Sequence, residues 1–307
     1  AAYPDIPDAQ KSATYHNALG LALNFKHYDK AMIYAKALQA MPTPPDARAS
    51  QEIIEAYAYG GDVVGAAALA KKPVDAAVAA GQRPTQQDLN LLFQVQAMAK
   101  DEAGAEQTLL LRATSYNDPA DWGRLIDTVL GTKGETDLDI IYIGRLLFVC
   151  GAPVTPQDAT IIGQTASHLT FFGDALNAQQ HGGTGFADPS ARAAQDKKDM
   201  PKEIAAGQKQ GGQYNVKLAE ALYSYGMYPE AEAAARLAQQ KGGATDPTEA
   251  PMVIGMAQVA QNKYADAATT FATVTSGSPA TPRIAALWAA FAKMKANPPP
   301  ATATAQQ

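Results

Sequence analysis

Apolar residues recur along most of the chain at the three- and four-residue spacing of a helical face. In DAQKSATYHNALGLALNF, for example, Tyr15, Ala18, Leu19, Ala22 and Leu23 lie on one side of a helix. The alternation of apolar and polar positions that indicates a strand is nearly absent. The pattern therefore predicts an all-α protein.

The predicted helices are roughly 10 to 18 residues long and are joined by short turns, an arrangement typical of antiparallel helix pairs. Asp118, Thr155 and Asp246 each precede a proline, the order of an N-cap residue and a first helical residue. The helix after Thr155 is expected to continue to Gln180. Pro73 is expected to separate the helix DVVGAAALAKK from a short helix PVDAAVAA.

The helical pattern stops at residues 181–212, where glycines crowd both ends around the charge cluster DKKDMPKE. We expect a long irregular crossing here, with room for a short helix, that is either functional or a simple spacer. It divides an N-terminal helical half, residues 1–180, from C-terminal repeats at 213–296. Residues 297–307 form a tail rich in Pro, Ala and Thr.

Three segments share a tyrosine three residues before an alanine, with a small residue twelve positions before that alanine in two of them and eleven in the segment nearest the N-terminus. In the last of them Gly255 precedes Ala267 by twelve positions, Tyr264 lies three before that alanine, Phe271 four after it, and Pro279 eight further on. The matching residues of the other two segments are Gly20, Tyr28 and Ala31 near the N-terminus, and Ala219, Tyr228 and Ala231 in the segment before the last.

This spacing resembles the tetratricopeptide repeat (TPR), a helix–turn–helix unit of about 34 residues. The step from Ala231 to Ala267 is 36 residues, the family's early tryptophan is absent, and residues 46–180 lack the consensus residues, so the repeats are degenerate. The resemblance implies an α-solenoid of antiparallel helix pairs that binds peptides or protein surfaces on its concave face. It further implies close helix crossings at the small residues and a helix stop at Pro279.

The last predicted helix, RIAALWAAFAKMKAN, carries an apolar stripe, and its opposite side is alanine rather than Lys or Glu. We expect the tail, another part of the chain or another subunit to cover it. A contact with the next molecule could propagate head to tail into a filament, which makes copies of itself the expected partners. The residues of this candidate assembly surface are Ile284, Leu287, Trp288, Phe291, Pro298, Pro299 and Pro300.

Composition narrows the function classes. Charged residues make up 18% and the net charge is −5, which gives no basic footprint for nucleic acid. No apolar run reaches the ~20 residues of a membrane helix, so we expect no membrane insertion. Surfaces with few charges lose their water easily when they bind a partner, so the low charge is consistent with contact surfaces. An alanine-rich bacterial composition explains the low charge equally well. The start AAYPDI fits a mature N-terminus after signal cleavage, or a trimmed chain, so we expect export to the periplasm, cell surface or medium.

No motif for catalysis, cofactor binding or metal binding is recognisable. The four histidines lack metal-ligand spacing, the single Cys150 allows no intrachain disulfide, and HGGTG at 181–185 has no nucleophile elbow beside it. The expected function is a non-enzymatic exported scaffold. The alternatives are a periplasmic adaptor that holds a partner peptide in its groove, and a helical envelope enzyme that cleaves glycans with two facing carboxylates. The histidines are His16, His27, His168 and His181.

Overall fold

The structure, a computed structural model, describes residues 6–299. This part of the chain forms sixteen α-helices and contains no strand. The helices are α1 (Asp8–Asn24), α2 (Tyr28–Gln39), α3 (Ala47–Tyr59), α4 (Val63–Ala79), α5 (Gln86–Met98), α6 (Glu102–Tyr116), α7 (Pro119–Val129), α8 (Asp137–Val149), α9 (Pro156–His168), α10 (Phe172–Gln180), α11 (Ser190–Gly207), α12 (Gly212–Ser224), α13 (Tyr228–Lys241), α14 (Glu249–Ala260), α15 (Tyr264–Phe271) and α16 (Thr281–Ala296).

Helices that are neighbours in the chain pack against each other in pairs, which confirms the predicted all-α fold of paired helices. The most extensive packing joins α1 with α2, α9 with α10, α12 with α13, α13 with α14, and α15 with α16. Three-residue turns connect the members of the first three of these pairs, for instance residues 225–227 between α12 and α13. A short turn between two packed helices makes the pair antiparallel.

The chain divides into two compact units, Ala1–Ser115 and Tyr116–Gln307. The first holds α1 to α6 apart from the last residue of α6, Tyr116, and the second holds α7 to α16. This division falls inside the predicted N-terminal half rather than at residue 180. The core of the first unit joins α1, α2 and α3 through Leu19, Ala22, Ala31, Ala35, Leu38, Ile53 and Ala56.

In the second unit the last helix packs against the unit's beginning. Helix α16 contacts α8 as well as α14 and α15. Its Trp288 donates a hydrogen bond from Nε1 to the Tyr142 carbonyl oxygen at 3.0 Å, and its indole stacks on Phe271 with ring centroids 5.6 Å apart. Phe291 meets Trp122 of α7 edge-on at 5.5 Å. The second unit therefore closes on itself.

The predicted irregular crossing at 181–212 differs from the structure, because Ser190–Gly207 forms the 18-residue helix α11. The glycines at 182–183 and 211–212 do lie in or beside turns, but the charge cluster between them is helical. Ala193 and Met200 are buried, so the segment carries an apolar face that packs on α10 and α12. That face is hard to read from sequence, since three lysines and three acids are interspersed with small apolar residues.

Three predicted helix boundaries are also corrected. Helix α4 continues through Pro73, which lies inside it. The segment after Thr155 breaks between α9 and α10, where Thr170 adopts a φ of 64° in the left-handed region. Helix α14 begins after Thr248 rather than at the Asp246–Pro247 step, and Asp246 accepts hydrogen bonds from the Thr248 amide and hydroxyl.

Candidate functional site

A cleft of about 740 Å³ opens in the first unit between α3, α4 and α5. Cavities of roughly 300–1,000 Å³ with a mainly apolar lining are the usual sites for ligands. The uncharged polar groups of this cleft come from hydroxyl and amide side chains, such as Ser50, Gln51 and Gln87. Its larger apolar lining residues are Pro44, Pro45, Ile53, Ile54, Leu69 and Leu91.

The cleft exists because α3 and α5 are held apart. Helix α4 packs extensively against both, and α1 packs against α3, but within residues 6–299 no comparable packing joins α3 to α5. Both helices begin at the cleft, with Asp46 capping α3 at the Ala49 amide and Thr85 capping α5 at the Asp88 amide. The caps fix where the two helices start at the cleft.

Two charged side chains line the cleft, and they differ in how they are engaged. Asp88 accepts a 2.6 Å hydrogen bond from the Thr85 hydroxyl, at a helix N-terminus that favours negative charge. Lys72 is exposed and has no ion pair within the described residues, whereas its neighbour Lys71 pairs with Asp75 at 2.6 Å. The Lys72 ammonium is therefore the charge that the cleft offers to a partner.

The neighbouring face of α3 is polar and largely satisfied from within the unit. Glu52 accepts a 3.1 Å hydrogen bond from Arg48 Nε and lies 3.2 Å from the His16 ring nitrogen of α1. Partial desolvation of the exposed Glu55 side chain, and then the negative charge of Glu52, raise the pKa of Glu55 above its ordinary value. This face stabilises the packing of α1 on α3 beside the cleft.

Most of the predicted repeat residues lie at helix contacts, and none of them lines the cleft. A Cβ on Gly255 would lie 2.6 Å from the Phe271 ring, so α14 and α15 approach closely there. Gly20 has more room, since a Cβ would meet the Glu52 carboxylate at 3.4 Å. Tyr28 stacks on Tyr59, and Tyr228 packs on Tyr223, whereas Tyr264 donates to Asn262. The repeat alanines Ala31, Ala219, Ala231 and Ala267 are fully buried.

Pro279 does not end a helix, contrary to expectation. Helix α15 ends eight residues earlier at Phe271, where the Ala272 amide closes the last turn onto the Ala268 carbonyl oxygen. The chain then runs through a loop whose Val274 is buried. Pro279 lies in that loop, against Gly134. The proline therefore shapes the approach to α16 rather than the end of α15.

The candidate assembly surface on the last helix is corrected, because its apolar residues belong to the core of the second unit. Ile284, Leu287, Trp288 and Phe291 are at most 5% exposed. They are covered by α7, α8, α14 and α15 rather than by another molecule. Pro298 is exposed and Pro299 partly so, whereas Pro300 and the rest of the predicted tail lie outside the described residues.

The glycine-rich turn HGGTG packs against α9. A Cβ on Gly183 would lie 2.6 Å from the Ala159 carbonyl oxygen, which explains the need for glycine. The His181 ring lies 4.7 Å from the Phe148 ring, and its Nδ1 lies 2.8 Å from the Asn177 carbonyl oxygen. His168 is hydrogen-bonded to Asp137. Residues 6–299 hold no group of three His, Cys, Asp or Glu side chains arranged for a metal ion.

Sequence analysis missed a buried ionic cluster in the second unit. Arg145 of α8 contacts Asp174 of α10 at 2.7 Å and Glu220 of α12 at 2.6 Å, and Glu220 also accepts a 2.7 Å hydrogen bond from Tyr142. Burial disfavours the arginine charge, but Asp174 and then Glu220 outweigh it and raise the Arg145 pKa. The signal was present, since a lone arginine in the apolar run IIYIGRLLFVC must find buried acids.

These observations define the class of protein. The described part of the chain has an all-helical, TPR-like fold of helix pairs. A cleft separates α3 from α5, which are the first helices of two neighbouring pairs. Within the described part, no helix is both long and apolar enough to cross a membrane.

Comparisons with known proteins find little similarity. No family model and no curated protein matches the chain. A solved structure described as the TPR2AB-domain:pHSP90-complex of yeast Sti1 is 13% identical, over 86% of this chain and 89% of that one, with a TM-score of 0.30. At that level of similarity it says nothing about what this chain binds.

Proposed function

We propose that the chain is a protein-interaction scaffold that binds an extended segment of a partner protein in the cleft between α3 and α5. The single observation that carries this proposal is the cleft itself, where two neighbouring helices fail to pack and leave an apolar surface of ligand size. A bound segment supplies the contact that α5 does not make with α3. Polar groups such as Ser50, Gln51 and Gln87 are suited to the segment's backbone.

Lys72 indicates which charge the partner segment carries. Lys72 lines the cleft, and its ammonium has no ion pair in the described residues. An acidic side chain of the partner satisfies it, while aliphatic or proline side chains fill the space beside Ile54 and Leu69. The proposed partner segment is therefore apolar and uncharged apart from one acidic residue.

The experiment selects binding peptides from a random display library on the full chain and measures their affinity for two variants. Gln51→Trp places a large side chain in the cleft, so we expect binding to weaken by about tenfold or more. Glu55→Trp is the matched control, because it makes the same change to an exposed residue of the same helix outside the cleft lining. Circular dichroism verifies that both variants fold.

Selected peptides that bind Gln51→Trp as tightly as the unchanged chain contradict the proposal. Peptides that lack an acidic residue contradict the part assigned to Lys72 alone.

The sequence also led us to expect self-assembly, export and, as an alternative, glycan cleavage. Head-to-tail assembly through α16 is not carried forward, because the residues expected to mediate it are buried within the second unit. Export stays a prediction from the sequence, tested by fractionating cells that make the native chain. Glycan cleavage needs two facing carboxylates in a sugar-sized cleft. Among the described residues that line the α3–α5 cleft, Asp88 is the one acid, and it accepts a hydrogen bond from the Thr85 hydroxyl. This cleft therefore does not present a pair of facing carboxylates.

A further inference from the structure

A second cavity, of about 190 Å³, lies in the second unit between the end of α7, the turn after it, α8 and α9. It is smaller than the α3–α5 cleft and far more aliphatic. Gly144 lines it at a close approach of α8 and α9, where a Cβ would lie 2.9 Å from Ile162. The aliphatic residues that line it are Ile126, Leu130, Ile140, Ile143, Leu147, Ile161 and Ile162.

The size and lining of this cavity indicate a short hydrocarbon group. A cavity of ~150 Å³ lined by Leu, Ile and Phe stays free of water and takes up benzene. A cavity somewhat larger than that accommodates a chain of about five to seven carbon atoms. Ile161 is 42% exposed, so the cavity has a side at which a ligand can enter.

Two carboxylates give the cavity a charge. Glu135 and Asp158 both line it, and each has one oxygen bonded to the backbone of its own turn, at Gly131 and Thr155 respectively. Neither acid has an ion pair among residues 6–299. Lys133, in the same turn as Glu135, makes none with it.

A third acid adds to the local negative charge. Burial, and then the charge of Asp158, raise the pKa of Asp127 above its ordinary value. A cation bound near Asp158 reduces the repulsion between these two carboxylates. An anion or a neutral molecule does not.

We propose that this cavity binds the alkyl chain of a small primary ammonium ion, with the positive charge against Glu135 and Asp158. The site is independent of the α3–α5 cleft and of its partner segment. The alkyl chain lies among the isoleucine side chains, and the ammonium group donates hydrogen bonds to the carboxylate oxygens that the turn backbone leaves free.

Calorimetric titration of the full chain with butyl-, hexyl- and octylammonium tests the proposal. We expect affinity to rise about fourfold per methylene up to hexylammonium and then to level off, because the cavity is filled. Hexanol should bind more weakly than hexylammonium, and hexanoate most weakly. Equal binding of the three hexyl compounds contradicts the role of the carboxylates, and affinity independent of chain length contradicts the cavity.

Variants locate the site. Ile161→Phe fills the cavity from its exposed side and should abolish hexylammonium binding, whereas Val149→Phe, at a residue 41% exposed outside the lining, should retain it. Glu135→Gln keeps the side chain's shape and should reduce the preference for hexylammonium over hexanol. Unchanged binding by Ile161→Phe overturns the assignment.

One further probe distinguishes a free alkylammonium ion from the lysine side chain of a protein. N-acetyl-lysine methylamide presents an alkylammonium as a protein side chain. We expect it to bind more weakly than hexylammonium, since its backbone amides do not fit an aliphatic cavity. Equal or tighter binding contradicts a free amine as the ligand.

Discussion

At the scale of single residues, Gly20 and Gly255 differ in register and in surroundings, since Gly20 lies eleven residues before Ala31 and Gly255 lies twelve before Ala267. A Cβ on Gly255 would lie 2.6 Å from the Phe271 ring, whose own position is fixed by stacking on Trp288. The same atom on Gly20 meets only the Glu52 carboxylate at 3.4 Å. Glycine is therefore required by packing at one site and tolerated at the other.

Alanine substitutions should separate the two glycines. We expect Gly255→Ala to lower the free energy of unfolding by about 1–3 kcal/mol, because the added methyl group overpacks the α14–α15 contact. Gly20→Ala should raise it by about 0.5–1 kcal/mol, through better helix propensity without a clash. Urea unfolding followed by circular dichroism measures both. Equal effects of the two changes would mean that the two glycines share one packing role.

The sequence allowed some of these residues to be placed but not their neighbours. The twelve-residue spacing between Gly255 and Ala267 predicted a small residue on each of two paired helices, and both helices are present. That spacing is local. The spacing from Gly20 to Ala31 is eleven residues, which displaces Gly20 by one position, but it does not show which side chain of another helix faces each glycine.

At the scale of helices, one carboxylate joins α13 to the turn between α14 and α15. Glu232 accepts hydrogen bonds from Arg236, Gln261 and Lys263. Burial raises the pKa of Glu232, but the hydrogen bonds from Lys263, Arg236 and Gln261 outweigh it and lower the pKa to about 2. The charged form is therefore the one that stabilises this contact.

This shift predicts a pH dependence of stability. A carboxyl group with a folded-state pKa below its ordinary 4.5 stabilises the fold fully above pH 4.5 and loses that contribution as the pH falls towards 2. The urea midpoint of the unchanged chain should decrease over this range. In Glu232→Gln the free energy of unfolding should fall less steeply with pH, because one proton fewer is taken up on unfolding.

Glu230→Gln is the control, because Glu230 is an exposed acid on the same helix outside the hydrogen-bonded cluster. Its midpoints should run parallel to those of the unchanged chain. A Glu232→Gln profile that also runs parallel would show that the cluster does not hold the charge of Glu232.

Helix existence was more predictable than helix boundaries. The helical spacing of Tyr15, Leu19 and Leu23 correctly indicated a helix, α1. The break between α9 and α10 was missed, because TASHLTFF contains no glycine or proline and the turn uses Thr170 in the left-handed region. Helix α11 was missed for the opposite reason, since flanking glycines and clustered charges hid its apolar face.

At the scale of the whole molecule, each unit has its own defining feature. The first contains the α3–α5 cleft, which no sequence pattern indicated, because it results from two helices that do not pack. The second is closed by α16. The apolar stripe of α16 correctly indicated that this helix must be covered. Its cover, from α7 and α8, lies far away in sequence, with Trp288 and Tyr142 146 residues apart.

The measurement that tests this account most directly is the effect of Trp288→Ala on stability and on self-association. We predict a loss of about 3–5 kcal/mol in the free energy of unfolding, because a fully buried indole and its hydrogen bond to Tyr142 are removed. Lys293→Ala, at an exposed position of the same helix, should change it by less than about 0.5 kcal/mol.

Urea unfolding and sedimentation velocity on the same samples give both quantities. The account predicts a large loss of stability in Trp288→Ala and an unchanged association state at concentrations where the variant is folded. Unchanged stability together with the loss of an oligomer would contradict it, since Trp288 would then lie at a contact between molecules rather than inside one.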